Sequence, residues 1–94
     1  MSNLRFVWDP IKARSNLVKH GISLDEAVTA FHDEHAKVFG DPDHSQVEER
    51  FILLGMSIRL RVLVVCHCYR ESETVVRIIS VRKADGEERE SYWR

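Results

Sequence analysis

The sequence predicts an α+β fold, an antiparallel sheet with two N-terminal helices packed on one face and a C-terminal helix. Three observations carry this expectation. Two capped helical segments lie between Asp9 and His32. Three strand-like runs follow, at residues 49–56, 61–69 and 75–82, and the turns between them are short enough to require antiparallel neighbours. A tail rich in Glu and Arg then closes the chain with Tyr92-Trp93.

The elements follow in order. Leu4-Arg5-Phe6-Val7-Trp8 alternates and carries aromatics, which suits a short strand. Asp9-Pro10 opens a helix, with Asp9 capping free amides and Pro10 at the first helical position. This helix runs to about His20, where Gly21 is placed to end it. Ala13 and Leu17 are expected to face the core together, with Lys12, Asn16 and Lys19 as a separate polar row. Ser23-Leu24-Asp25-Glu26 reads as a capping box, with Glu26 reaching back to the cap, before a second helix over residues 24–32. Residues 36–39 suit a short strand, and the turn formers Gly40-Asp41-Pro42-Asp43-His44-Ser45 suit an exposed loop. Residues 84–94 are assigned to the C-terminal helix. Repeats, low-complexity tracts and linkers are absent, so residues 1–94 are expected to form one domain.

Composition narrows the class. The chain has 94 residues, 44% hydrophobic and 31% charged, as folded soluble proteins do. It lacks an N-terminal apolar run suited to a signal peptide, and its longest apolar stretch, 62–66, is too short to span a bilayer. A cytoplasmic protein without membrane contact is expected. Cys66 and Cys68 are too close along one strand for a ready disulfide and read as small buried hydrophobes. The net charge of −1 conceals zones: residues 1–20 carry +3, residues 21–49 carry −7, residues 50–83 carry +5 and residues 84–94 carry −2. Such zoning permits one phosphate-attracting surface on a neutral protein, and equally permits solvated strand faces.

Alternation along the strand from Arg61 sets Leu63, Val65, His67 and Tyr69 on one side and Val62, Val64, Cys66 and Cys68 on the other. The second set is wholly apolar and is expected to face the helices, joined by Val76, Ile78 and Ser80. A hairpin centred near Ser72 then sets Arg77 opposite His67 on the open face. Arg82-Lys83 closes the last strand, Arg50 opens the first of the three, and Tyr92 can fold back over the sheet. One groove would gather an imidazole, guanidinium groups, an amine and a phenol. Metal-free RNA cleavage needs those types: a base for the 2′-hydroxyl, an acid for the leaving oxygen and cations for the phosphate. Histidine titrates near neutrality, and arginine holds phosphate through paired hydrogen bonds. Each residue also has an ordinary structural reading, a buried histidine or a solvated strand arginine. His32 and His35 with Asp33, Glu34 and distant His44 straddle a helix end, and no metal is expected there. Lys19-His20 complements a helix dipole or contacts substrate.

These residues resemble a known family. Phe6-Val7-Trp8-Asp9-Pro10, Lys12-Ala13, Asn16, Lys19-His20-Gly21-Ile22-Ser23, Glu26-Ala27, Phe31, Asp41-Pro42-Asp43-His44-Ser45, Glu49-Arg50-Phe51, Gly55, His67, Arg77 to Ala84, and Glu88-Arg89 with Tyr92 are similar, in order, to BrnT toxins. The resemblance implies a RelE-like fold and a type II toxin that arrests translation by cleaving RNA without metal or cofactor. It implies a BrnA-type antitoxin partner in a hetero-oligomer that meets operator DNA only through the antitoxin. The positions it suggests for catalysis are His67, Arg77, Arg82 and Tyr92, with Arg50, Lys83 and Lys19 binding substrate. A second class fits the same chain: a non-catalytic module that acts only by protein binding, as a co-repressor or a gyrase inhibitor.

Overall fold

The computed structural model of the protein describes residues 4–41 and 48–94. The expected loop at Gly40–Ser45 lies largely outside them. Strand β1 (Arg5–Val7) leads into helix α1 (Pro10–His20) and helix α2 (Leu24–Ala30). Strands β2 (Lys37–Gly40), β3 (Phe51–Met56), β4 (Val62–Arg70) and β5 (Val75–Lys83) follow, then helix α3 (Gly86–Trp93). The sheet order is β1-β5-β4-β3-β2, antiparallel throughout except for the parallel pair β1·β5.

The helix ends obey local chemistry. Asp9 Oδ1 accepts from the Ile11 amide at 2.9 Å, and Gly21, at φ 71°, closes α1 in the left-handed region that glycine enters without cost. Ser23 caps α2 as expected, accepting from the Glu26 amide at 3.0 Å. The Glu26 side chain does not reach back. It turns instead to Arg61 and to Ser57, whose hydroxyl donates to Glu26 Oε2 at 2.7 Å, and so ties α2 to the β3–β4 hairpin. A buried carboxylate gains more from a guanidinium than from its own cap amide, and Arg61 holds Glu26 below the usual carboxylate range despite its burial. Helix α2 ends at Ala30 rather than His32, because the amides of Phe31, His32 and Asp33 tighten onto Val28, Thr29 and Ala30. Gly55 sits where α2 crosses β3; a Cβ there would meet the Ala30 carbonyl at 2.9 Å.

The sheet is apolar on both faces. Leu63, Val65, Val76, Ile78 and Val81 pack with Ile22, Leu24, Ala27 and Ala30 beneath the N-terminal helices. Leu54, Val62 and Val64 pack with Ala84 and Tyr92 beneath α3 on the other side. The expectation that Val62, Val64, Cys66 and Cys68 face the N-terminal helices is therefore corrected. Strand β4 is central, and a strand covered on both faces reads as a continuous apolar run whose alternation does not say which layer lies where.

Two details of β5 decide the rest. The β4–β5 turn holds four residues between paired Arg70 and Val75, so Arg77 pairs with Cys68 and not with His67. A bulge then intervenes: Cys66 pairs with Ser80 and His67 with Ile78, leaving Ile79 as the extra residue. Ser80 consequently points away from the N-terminal helices, contrary to plain alternation, and Val81 points toward them.

Asn16 fixes that facing. It is 6% exposed, whereas Leu17 is 50% exposed, so these two exchange their expected places while Ala13 packs against the core and Lys12 and Lys19 stay exposed as expected. Its side-chain amide donates to the Val81 carbonyl at 2.9 Å and to the Ile22 carbonyl at 3.2 Å, and its oxygen accepts from the Val81 amide at 3.0 Å. Strand β1 pairs with β5 only as far as Arg77, so Asn16 supplies at Val81 the partner that a longer strand would have given. Replacing Asn16 with Ala strands these buried groups. The variant is expected to lose about 2–4 kcal/mol in urea unfolding, while Lys12→Ala on the same helix stays within about 0.5 kcal/mol.

Candidate functional site

The face of the sheet turned away from α1 and α2, here the outer face, gathers the arginines. Val76 and Ile78 enter the helix-side core, so Arg77 between them points outward. Arg82 pairs with Val64, which also faces outward. Arg77 and Arg82 differ by an odd number of residues and would occupy opposite faces of a regular strand. The bulge at Ile79 puts them on the same one. Arg50 precedes Phe51, whose ring meets His67 and Tyr69 on the helix side, and so lies outward beside Cys66. Its Nε is buried without a hydrogen-bond partner among the described residues. Cys66 and Cys68 share this face as free thiols. Burial pushes both upward, opposed at Cys66 by the Arg50 guanidinium. Arg77 makes no hydrogen bond or ion pair among the described residues.

Helix α3 roofs one end of the outer face. Its N-terminus is a complete capping box, with Glu88 N–H donating to Asp85 Oδ1 and Asp85 N–H donating to Glu88 Oε1, each at 2.8 Å. Glu88 also receives the Arg82 fork: Nη1 to Oε1 and Nη2 to Oε2, both 2.8 Å. Each partner stabilises the charged form of the other, Glu88 shifted down and Arg82 up. Between α3 and the sheet lies a hollow of 260 Å³, floored by Phe39, Ile52, Leu54 and Val64 and walled by Glu87, Glu88 and Ser91.

The far end of α3 is tied down by Asp33. The Tyr92 hydroxyl donates to Asp33 Oδ2 at 2.6 Å, the same oxygen accepts from the Met56 amide at 2.8 Å, and Oδ1 accepts from the His35 amide at 2.9 Å. Lys37 Nζ adds a hydrogen bond to the Ser91 carbonyl. Burial would raise the Asp33 carboxyl, but its three donors outweigh that and hold it low. Burial and the Asp33 charge push the Tyr92 phenol up to about 12.

The expected groove is thus partly assembled and partly dispersed. Arg50, Arg77, Arg82 and Tyr92 come to the outer face. His67 does not: it is 0% exposed, on the helix side, edge-on to Phe31 at 4.9 Å and to Tyr69 at 5.3 Å between ring centroids. Its Nδ1 faces the Val65 carbonyl at 3.1 Å, Nε2 has no partner among the described residues, and burial holds the ring in its neutral form. The shared hollow of His67 and Arg77 is corrected: the hairpin register pairs Arg77 with Cys68, the neighbour of His67, and the sheet separates the two side chains. Lys83 pairs with Leu63 and so starts on the helix side, and Lys19 stands exposed on α1, in the layer across the sheet. Asp33 proves to be an anchor for α3. The Glu88–Arg82 fork was missed, although Glu88 three residues after Asp85 is the box signature that predicts a fixed carboxylate there. Among the described residues, no cluster of three or more His, Cys, Asp or Glu stands in position to hold a metal, and no helix is long and apolar enough to cross a membrane.

A five-stranded, mostly antiparallel sheet with an arginine-bearing face under a C-terminal helix defines a small α+β protein of the architecture found in one solved toxin. The 1.1 Å crystal structure of the Brucella abortus ribonuclease toxin, BrnT, superposes with a TM-score of 0.66 at 23% identity, covering 87% of this chain and 97% of that one. At that identity the likeness establishes the fold. Among curated protein sequences none matches the chain. Residues 8–88 match the family described as the ribonuclease toxin, BrnT, of type II toxin-antitoxin systems, and the chain belongs to that family. Membership implies an antitoxin partner.

Because Asp33 is held low when folded, its stabilising contribution is complete above the ordinary aspartate range and is lost as pH falls through the depressed value. Asp33→Asn is expected to cost about 1–3 kcal/mol at neutral pH. In denaturation curves taken across pH, the gap to the parent should narrow steadily in acid.

Proposed function

We propose that the protein is a metal-independent endoribonuclease toxin whose outer sheet face holds RNA, that it arrests translation in the cytoplasm, and that a BrnA-type antitoxin neutralises it and carries the complex to operator DNA. The observation that carries this reading is the bulge at Ile79, which brings Arg77 and Arg82 to the face that also bears Arg50. Arg77 and Arg82 pair with Cys68 and Val64, which are four residue steps apart on β4, about 13 Å along the strand. That spacing suits different phosphates of one chain better than a single phosphate. Guanidinium forks match phosphate oxygens, and cations aimed at a reacting phosphate offset the charge that builds in the transition state. The apolar floor with Phe39 gives an adjoining base somewhere to lie.

The remaining candidates take other parts. Tyr92, hydrogen-bonded to Asp33 and firmly protonated, positions α3. His67 packs the aromatic cluster and supports the strand that carries Cys66 and Cys68. Lys19 and Lys83 add long-range attraction for a polyanion.

The test is cleavage of an RNA oligonucleotide by the purified protein with excess chelator. Cleavage is expected to persist and to leave a 2′,3′-cyclic phosphate. Arg77→Ala, which removes a charged contact to a neighbouring phosphate, should slow it by about tenfold at subsaturating RNA, whereas His67→Gln should stay within a few-fold of the parent. Loss of cleavage on chelation overturns metal independence. Growth arrest with bulk RNA intact favours a toxin that acts only by binding protein.

A further inference from the structure

With His67 beneath the helices, the described side chains best suited to accept a proton near the arginine-bearing face are carboxylates. Glu48 lies at the other end of β4, near Cys68 and Arg70. Asp33 is consumed by three donors. Glu87 makes no hydrogen bond or ion pair that would fix its position among the described residues. Glu88 differs from all of these. It is held by the Asp85 amide on one side and by both Arg82 nitrogens on the other, its side chain is 29% exposed, and it forms a wall of the 260 Å³ hollow. That hollow is smaller than the sites of drug-sized ligands and suits one flat fragment such as a nucleobase.

From this geometry we propose that Glu88 is the general base of RNA cleavage and Arg82 its electrostatic partner, an assignment that rests on the outer face being the ribonucleolytic surface. In the free protein the guanidinium and the carboxylate neutralise each other. A phosphate arriving at Arg82 competes for the same N–H donors and frees a carboxylate oxygen toward the adjacent ribose. Glu88 takes the 2′-hydroxyl proton, the 2′-oxygen forms a bond to phosphorus, and the bond from phosphorus to the 5′-oxygen breaks. Water protonates the leaving 5′-oxygen, and Glu88 returns its proton to solvent. One proton has then moved, in net, from the 2′-oxygen to the 5′-oxygen, and the products are a 2′,3′-cyclic phosphate and a 5′-hydroxyl. Arg82 stays charged throughout and stabilises the phosphorane.

Glu88→Gln separates this chemistry from the structural work of the residue. Glutamine serves at the third position of a capping box as glutamate does, and its oxygen still accepts from Arg82. With the full-length protein, E88Q is expected to cleave an RNA oligonucleotide at least about 10²-fold more slowly than the parent. It should bind a non-cleavable 2′-O-methyl oligonucleotide within a few-fold of the parent and stay folded, with a thermal midpoint within a few degrees of the parent. Glu88→Asp, which retains a carboxylate, should cleave at least tenfold faster than E88Q. A parent that cleaves while E88Q cleaves equally well, or an E88D no faster than E88Q, overturns the assignment of Glu88 alone. A parent that leaves RNA intact overturns the ribonuclease reading, and the role of Glu88 with it.

Discussion

The bulge in β5, held by the Asn16 side chain, is the constraint on which the arrangement of this molecule turns. One extra residue at Ile79 reverses the facing of everything after it. Val81 enters the core beneath the N-terminal helices, and Arg82 leaves it. A bulge leaves one residue unpaired where the ladder closes again, and it moves every later side chain to the opposite face. Asn16 closes the ladder by pairing with both polar groups of Val81, as a neighbouring strand would. A residue on α1 thereby determines which side of the sheet an arginine on β5 presents.

The second device repeats the first at the opposite edge. Strand β2 pairs with β3 no further than Leu54, so the Met56 amide lacks a strand partner, and Asp33 accepts from it. The same carboxylate oxygen receives the Tyr92 hydroxyl. One negative charge therefore closes a sheet edge and anchors the helix that carries Glu88. In a 94-residue chain with a modest core, such double use of a buried polar group replaces packing that a larger domain would supply. The hydrogen-bond partners also explain why Asp33, amid His32, Glu34 and His35, holds the fold together rather than contributing to an open ligand set.

Much of the fold was legible in the residues. Asp9-Pro10 and Gly21 bounded α1, Ser23 began α2, and the spacing of the apolar runs gave three antiparallel strands. What escaped has physical causes. Strand β4 is covered on both faces, so its alternation did not reveal which layer held the helices. A bulge leaves no mark in a run such as Arg77-Ile78-Ile79-Ser80-Val81-Arg82, where either register buries aliphatic side chains. Asn16 looked like a surface residue because its inward role depends on a strand 65 residues away. The same ambiguity placed His67 at the proposed chemistry, since which face the imidazole joined could be read only with the layers assigned. Arg77, Arg82 and Arg50 reached a common face by a route that the sequence did not disclose.

Electrostatics and shape agree on the outer face. The hollow under α3 has an apolar floor and a carboxylate wall, and the guanidinium groups stand on the neighbouring strands. The helix side offers instead an aromatic cluster packed around the buried His67. The most direct measurement is a backbone and arginine side-chain NMR titration with a short 2′-O-methyl RNA, which binds without being cut. Shifts confined to Arg50, Arg77, Ser80, Arg82 and α3, with α1 unmoved, are the predicted result. Shifts centred on Lys19 and the outer surface of α1, with the β5 arginines silent, would contradict it.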